Sequence, residues 1–85
     1  MEKRNWREDW RETVLGEREL RKFFAYTGLT APPHSLQPPT RKMRGCELQK
    51  WLMKQGVTWS YHDENMARSV YLAIGYKWLD ILSWD

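Results

Sequence analysis

Residues 46–74 read CELQKWLMKQGVTWSYHDENMARSVYLAI, and the spacing of their apolar residues decides the fold class. Leu48, Trp51 and Leu52, preceded by Met43, recur at helical intervals and predict a helix with one apolar face. Gly56 is placed to end it, because a glycine takes the left-handed backbone of a helix stop without strain. Further on, Met66, Val70 and Ile74, with Ala67 and Ala73 beside them, form a second apolar stripe. Ser60 or Asp63 can cap the helix that carries this stripe, and Gly75 can close it. Between the two, Val57-Thr58-Trp59-Ser60-Tyr61 is rich in β-branched and aromatic residues, which suits a short strand or an extended turn. Helix, glycine turn and helix follow the outline of a helix-turn-helix, with Tyr76-Lys77-Trp78 as a wing strand. The likeness is to an architecture only, since the turn from Gly56 exceeds the usual length of roughly three or four residues.

Outward from this centre, the tail from Tyr76 to Trp84 first alternates and then reads Leu79, Ile81, Leu82, so strand and helix both remain open there. Upstream, Leu29 to Thr40 contains Pro32-Pro33 and Pro38-Pro39. Each proline lacks a backbone donor and turns the residue before it away from helix, so this stretch is expected to be a connector that packs through Leu29 and Leu36. Its prolines come in adjacent pairs, which fits a connector better than a Pro-x-x-Pro ligand. At the start, Asn5 and Glu8 have the spacing of a capping box, which predicts a helix from Trp6. Trp6, Trp10 and Val14 then fall on one face, and Gly16 either ends the helix or sits inside a longer one. Glu17 to Tyr26 resumes the helical pattern with Leu20, Phe23 and Phe24, and Thr27-Gly28 supplies a stop. The expected fold is mainly α: one domain over residues 1–85, a small bundle of three to four helices with a short β-hairpin or wing.

Composition narrows the function. The chain has 85 residues, one cysteine, six Trp, four Tyr and two Phe. A domain of this size has a small interior, and each aromatic can bury roughly 150–250 Å². Some of the tryptophans are therefore expected at the surface. The lone Cys46 leaves no intramolecular disulfide and no thiolate set for zinc, which suits a reducing, intracellular setting, including a host cytoplasm for a virus-encoded chain. No apolar run approaches the ~20 residues of a membrane span. Catalysis would need convergent groups, and His34, His62 and Cys46 are the only imidazoles and thiol. No enzyme activity, cofactor or metal is expected.

Charge is unevenly placed along a chain of net charge +3. Residues 27–54 carry Arg41, Lys42, Arg44, Lys50 and Lys54 against Glu47 alone, which makes this the place to look for an anionic partner. These five could follow a nucleic-acid backbone, DNA or RNA, without reading sequence. Asn65 and Arg68, with Ser69, could address base edges from a recognition helix. Asp63 and Glu64 at the start of that helix would meet phosphate with the wrong sign. The competing class is protein binding, in which Trp6, Trp10 and Arg11 at one end, and Trp78 and Trp84 at the other, serve as interface anchors. Size and composition together favour a small regulatory or inhibitory protein acting on a larger protein or nucleoprotein complex, of the kind phages encode for host takeover or anti-defence. The alternative is a helix-turn-helix or winged-helix DNA-binding accessory or transcription factor. Trp6 and Trp10 decide between the surfaces: if both are core, the basic segment 41–54 becomes the leading site.

Overall fold

The computed structural model describes residues 6–32, 35–58 and 63–83. The chain is mainly helical with one short antiparallel strand pair. Helix α1 (Trp6–Asp9) tightens into a 3-10 turn (Trp10–Glu12) and is followed by strand β1 (Val14–Leu15). Helix α2 (Glu17–Thr27) leads into the proline-rich connector, and strand β2 (Met43–Arg44) leads directly into α3 (Gly45–Lys54). Helices α4 (Asp63–Ala73) and α5 (Trp78–Leu82) complete the fold. The expected cap residue Asn5 lies outside the described residues.

The strand pair sits where the sequence did not place it. Val14 faces Arg44 and Leu15 faces Met43, so the partners are joined across α2 and the connector and form no hairpin. The expected wing is replaced by helix: Tyr76 and Lys77 are irregular and Trp78 opens α5, while residues 59–61 of the other candidate strand lie outside the described residues. Each strand feeds a helix that starts in the same way. The backbone N–H of Gly16 donates to Glu19 Oε1, and that of Arg44 to Glu47 Oε1, both at 3.0 Å. A glutamate in the first turn thus reaches back to an N–H that the helix leaves unpaired. The strand pair therefore ties the N-terminal ends of α2 and α3 together, and the N–H of Gly45 extends it by donating to the Thr13 carbonyl at 2.9 Å.

Helix α2 ends at Gly28, whose φ of 74° is left-handed, as its glycine predicts. The connector returns onto the core: Leu29 is buried, Leu36 packs against the core half-buried, and the Leu36 N–H donates to the Leu29 carbonyl at 2.7 Å. Helix α4 is the centre of the domain. It packs most extensively on α2 and also touches α1, the 3-10 turn, α3 and α5. Its stripe of Met66, Ala67, Val70 and Ala73 is buried as the spacing predicts, and Tyr71 joins it. Ile74 does not: the helix stops at Ala73, which leaves Ile74 off the stripe and exposed.

Trp6 and Trp10 are 2% and 0% exposed, so both indoles are core residues. The interior accommodates them because the N-terminal turn lies directly on α4 and α3. The Trp10 indole N–H donates to the Arg7 carbonyl at 2.9 Å, which satisfies its one polar atom inside the core. Gly45 makes the close approach of α3 feasible, for a Cβ there would stand 2.1 Å from the Trp10 carbonyl oxygen. Trp51 is only half-buried and meets Phe24 edge-on, with ring centroids 5.8 Å apart.

Candidate nucleic-acid interface

The expectation that Trp6 or Trp10 anchors a partner from the surface is corrected by their burial. Arg11, assigned with them, is engaged within the domain. Its guanidinium lies over the Trp10 ring at 4.8 Å, donates to Asp63 Oδ2 at 2.6 Å and to Gln49 Oε1 at 3.4 Å. Arg7 repeats the pattern one turn earlier, over Trp6 at 4.4 Å and donating to Glu64 Oε1 at 3.1 Å. Two Trp-Arg pairs thus clamp the start of α4. Trp84 lies outside the described residues, as do His34 and His62.

This clamp changes the electrostatics of the α4 N-terminus. Gln49 Nε2 donates to Asp63 Oδ1 at 3.0 Å. That bond first, and after it the hydrogen bond and charge of Arg11, hold the Asp63 carboxyl below its usual range against an opposing desolvation that outweighs either Arg11 contribution alone. Asp63 and Glu64, which in the bare sequence weigh against an anionic partner, each face an arginine, and Arg68 Nη2 stands a further 3.8 Å from Glu64. The pairings join residues 57 and 52 positions apart in the chain, and only the regular Trp-Arg repeat hinted at a shared role for Arg7 and Arg11.

Arg41, Lys42, Arg44, Lys50 and Lys54 are all exposed. Arg41 lies 3.9 Å from Glu47 and Arg44 lies 3.8 Å from Glu12, distances too long for a hydrogen bond. Among the described residues, Lys42, Lys50 and Lys54 have no carboxylate within ion-pair reach. Burial of Leu48, Gln49 and Leu52 against the domain turns Lys50 and Lys54, one helical turn apart, to the open side of α3. Among the described residues, Glu47 and Glu12 are the acids within ion-pair reach of these five cations, so the local excess of positive charge read from the sequence is presented to solvent.

A second feature lies between α2, α4 and α5. Tyr26, Thr27, Asn65, Arg68, Ser69, Leu72 and Trp78 line an open cleft of about 360 Å³. It brings Asn65 and Arg68 together with Trp78, residues that the sequence assigned to two different partners. Tyr26, Thr27 and Leu72 carry no binding signal in the sequence, where they read as ordinary positions in or at the end of helical patterns. Five neighbouring elements pack around α4, so its first turn and the Arg68-Ser69-Leu72 edge are its accessible parts. Among the described residues no three His, Cys, Asp or Glu side chains converge as a metal site, and no helix is long and apolar enough to cross a membrane. Comparison of the chain with protein-family models, curated proteins and solved structures returned no match.

Proposed function

We propose that this domain is a small nucleic-acid-binding protein that grips phosphate through Arg41, Lys42, Arg44, Lys50 and Lys54, and so acts as a regulator on a nucleoprotein complex. The observation that carries the reading is the set of exposed cations from the end of the connector through β2 into α3, three of which have no carboxylate partner among the described residues. An unpaired surface cation keeps its full attraction for phosphate, and each contact releases counterions from the nucleic acid. The clamp on Asp63 and Glu64 supports the same reading, since those acids are compensated internally by Arg11 and Arg7. The contacts proposed are to backbone, which positions a nucleic acid without specifying its sequence.

The test is a titration of fluorescein-labelled oligonucleotides at several salt concentrations, read by anisotropy, for the parent and for the triple variant Lys42→Ala, Lys50→Ala, Lys54→Ala. All three side chains are exposed, so the variant is expected to fold. Its affinity should fall, and the slope of log K against log salt should flatten by about 0.7 to 0.9 for each phosphate that the variant no longer neutralises. An unchanged slope would show that the cluster is only a solvated face.

A further inference from the structure

We infer that the cleft between α2, α4 and α5 receives an unpaired base of a single-stranded nucleic acid, stacked against Trp78 and Tyr26 and addressed at its edge by Asn65, Arg68 and Ser69. The inference rests on the nucleic-acid reading above and specifies which form of nucleic acid is bound. A base has two apolar faces and a rim of donors and acceptors, so a site for it needs aromatic surface beside polar groups. The cleft has that composition. Trp78 and Tyr26 are 47% and 57% exposed, at the start of α5 and in the last turn of α2. Asn65, Arg68 and Ser69 come from one edge of α4, at helical spacings of three and four residues. Leu72 continues that edge as an apolar contact.

Arg68 is the charged residue that lines the cleft. Among the described residues its Nε–H is buried with no acceptor, and its Nη2 stands 3.8 Å from Glu64, beyond hydrogen-bond length. Glu64 is already the acceptor for Arg7 at 3.1 Å. The Arg68 guanidinium is held chiefly by lying 5.4 Å over the buried Trp6 ring. Arg68 is therefore held in place where it lines the cleft, and its terminal N–H donors suit a base carbonyl or ring nitrogen. The cleft volume falls at the small end of the roughly 300–1,000 Å³ typical of ligand sites. A base within a duplex is stacked on both faces and cannot lie against Trp78. Selectivity for single strands follows.

The experiment compares a labelled mixed-sequence 12-mer as single-stranded RNA, as single-stranded DNA and as the DNA duplex, against the parent, Trp78→Ala and Tyr26→Ala. The parent should bind a single strand more tightly than the duplex. Each variant should weaken single-strand binding by roughly fivefold to a hundredfold, the range for removing a stacking platform, and leave duplex binding unchanged. The duplex arm thereby checks that each variant is folded. A loss confined to RNA or to DNA would support the inference and name the sugar. Equal losses for single strand and duplex, or no loss, would overturn the base site while leaving the phosphate reading intact. Absence of salt-dependent binding to every oligonucleotide would remove that reading and this one with it. Leu79, next to Trp78 in α5, is 78% exposed. If Trp78→Ala instead turned a self-associated parent into a monomer in sedimentation, the cleft would be a contact between two copies and the base site would be refuted.

Discussion

Replacing Gly45 with Ala should destabilise the domain, although the same exchange in a helix ordinarily helps. Gly45 is the first residue of α3 and its φ is not positive, so alanine fits the backbone and would by itself contribute about 0.4–1 kcal/mol by restricting the unfolded chain. The added methyl, however, would stand 2.1 Å from the Trp10 carbonyl oxygen and 2.7 Å from Cε3 of the Trp10 ring. Neither can move aside cheaply. The carbonyl belongs to the 3-10 turn and accepts the Thr13 N–H at 3.2 Å, while the indole is fully buried. Relief requires α3 to back away, which also stretches the 2.9 Å bond from the Gly45 N–H to Thr13 and strains the strand pair beside it. Overpacking of this kind costs about 1–3 kcal/mol or more, so the clash outweighs the backbone gain and a net loss of about 1–2 kcal/mol is expected. In a domain this small that lowers Tm by roughly 4–16 °C. Urea unfolding followed by far-UV circular dichroism should show an earlier midpoint with an unchanged m-value. Gly16→Ala is the milder comparison: its methyl would meet only the Glu19 carboxylate, at 2.9 Å, a side-chain end that can swing away at the expense of its bond to the Gly16 N–H, so its loss should be smaller than that of Gly45→Ala. A Gly45→Ala protein as stable as the parent would refute the docking of α3 on the 3-10 turn.

Trp10→Ala should cost roughly 3–5 kcal/mol in the same unfolding assay, the range for emptying a buried aromatic site; a loss below about 1 kcal/mol would place the indole outside the core. Asp63 has a carboxyl pKa lowered from 3.8 in the folded state, so its contribution to stability is present above the unfolded pKa and is lost as pH falls through the depressed folded value. Asp63→Asn should therefore lower stability at pH 7 and flatten the decline below about pH 4, as urea midpoints between pH 7 and pH 2 would show; parallel curves for parent and variant would mean that Arg11 and Gln49 do not hold that carboxylate.

Local signals in the chain suffice where a single residue or a regular spacing sets the structure. Gly28 ends α2, the Met66-Val70 stripe is buried, and Leu29 pins the proline-rich connector to the core. The short strand pair could not be read in the same way, because Val14-Leu15 and Met43-Arg44 are two residues each and gain their pairing only from the docking of α2 and α3 around them. Periodicity puts Trp6, Trp10 and Val14 on one face, but the helix tightens at Trp10 and opens into β1, so Val14 faces solvent while both indoles turn inward. The charged residues around those tryptophans suggest a narrow, exposed stripe. They mislead because Arg7 and Arg11 lie across the rings and reach acids far along the chain, so charge near a tryptophan here marks a lid over the core. The exposed basic residues are legible from composition alone, since long-stemmed lysines and arginines stay at the surface wherever the helix turns. The cleft is legible in parts. Asn65, Arg68 and Trp78 each stand out by residue type, but their convergence with Tyr26 depends on how α2 and α5 pack on α4.

The central claim is that Arg41, Lys42, Arg44, Lys50 and Lys54 grip phosphate, and the salt dependence of parent binding to a single-stranded oligonucleotide tests it most directly. Three to five phosphate contacts predict a slope of log K against log salt of about −2 to −3.5. A slope near zero, or no binding at low salt, would contradict it.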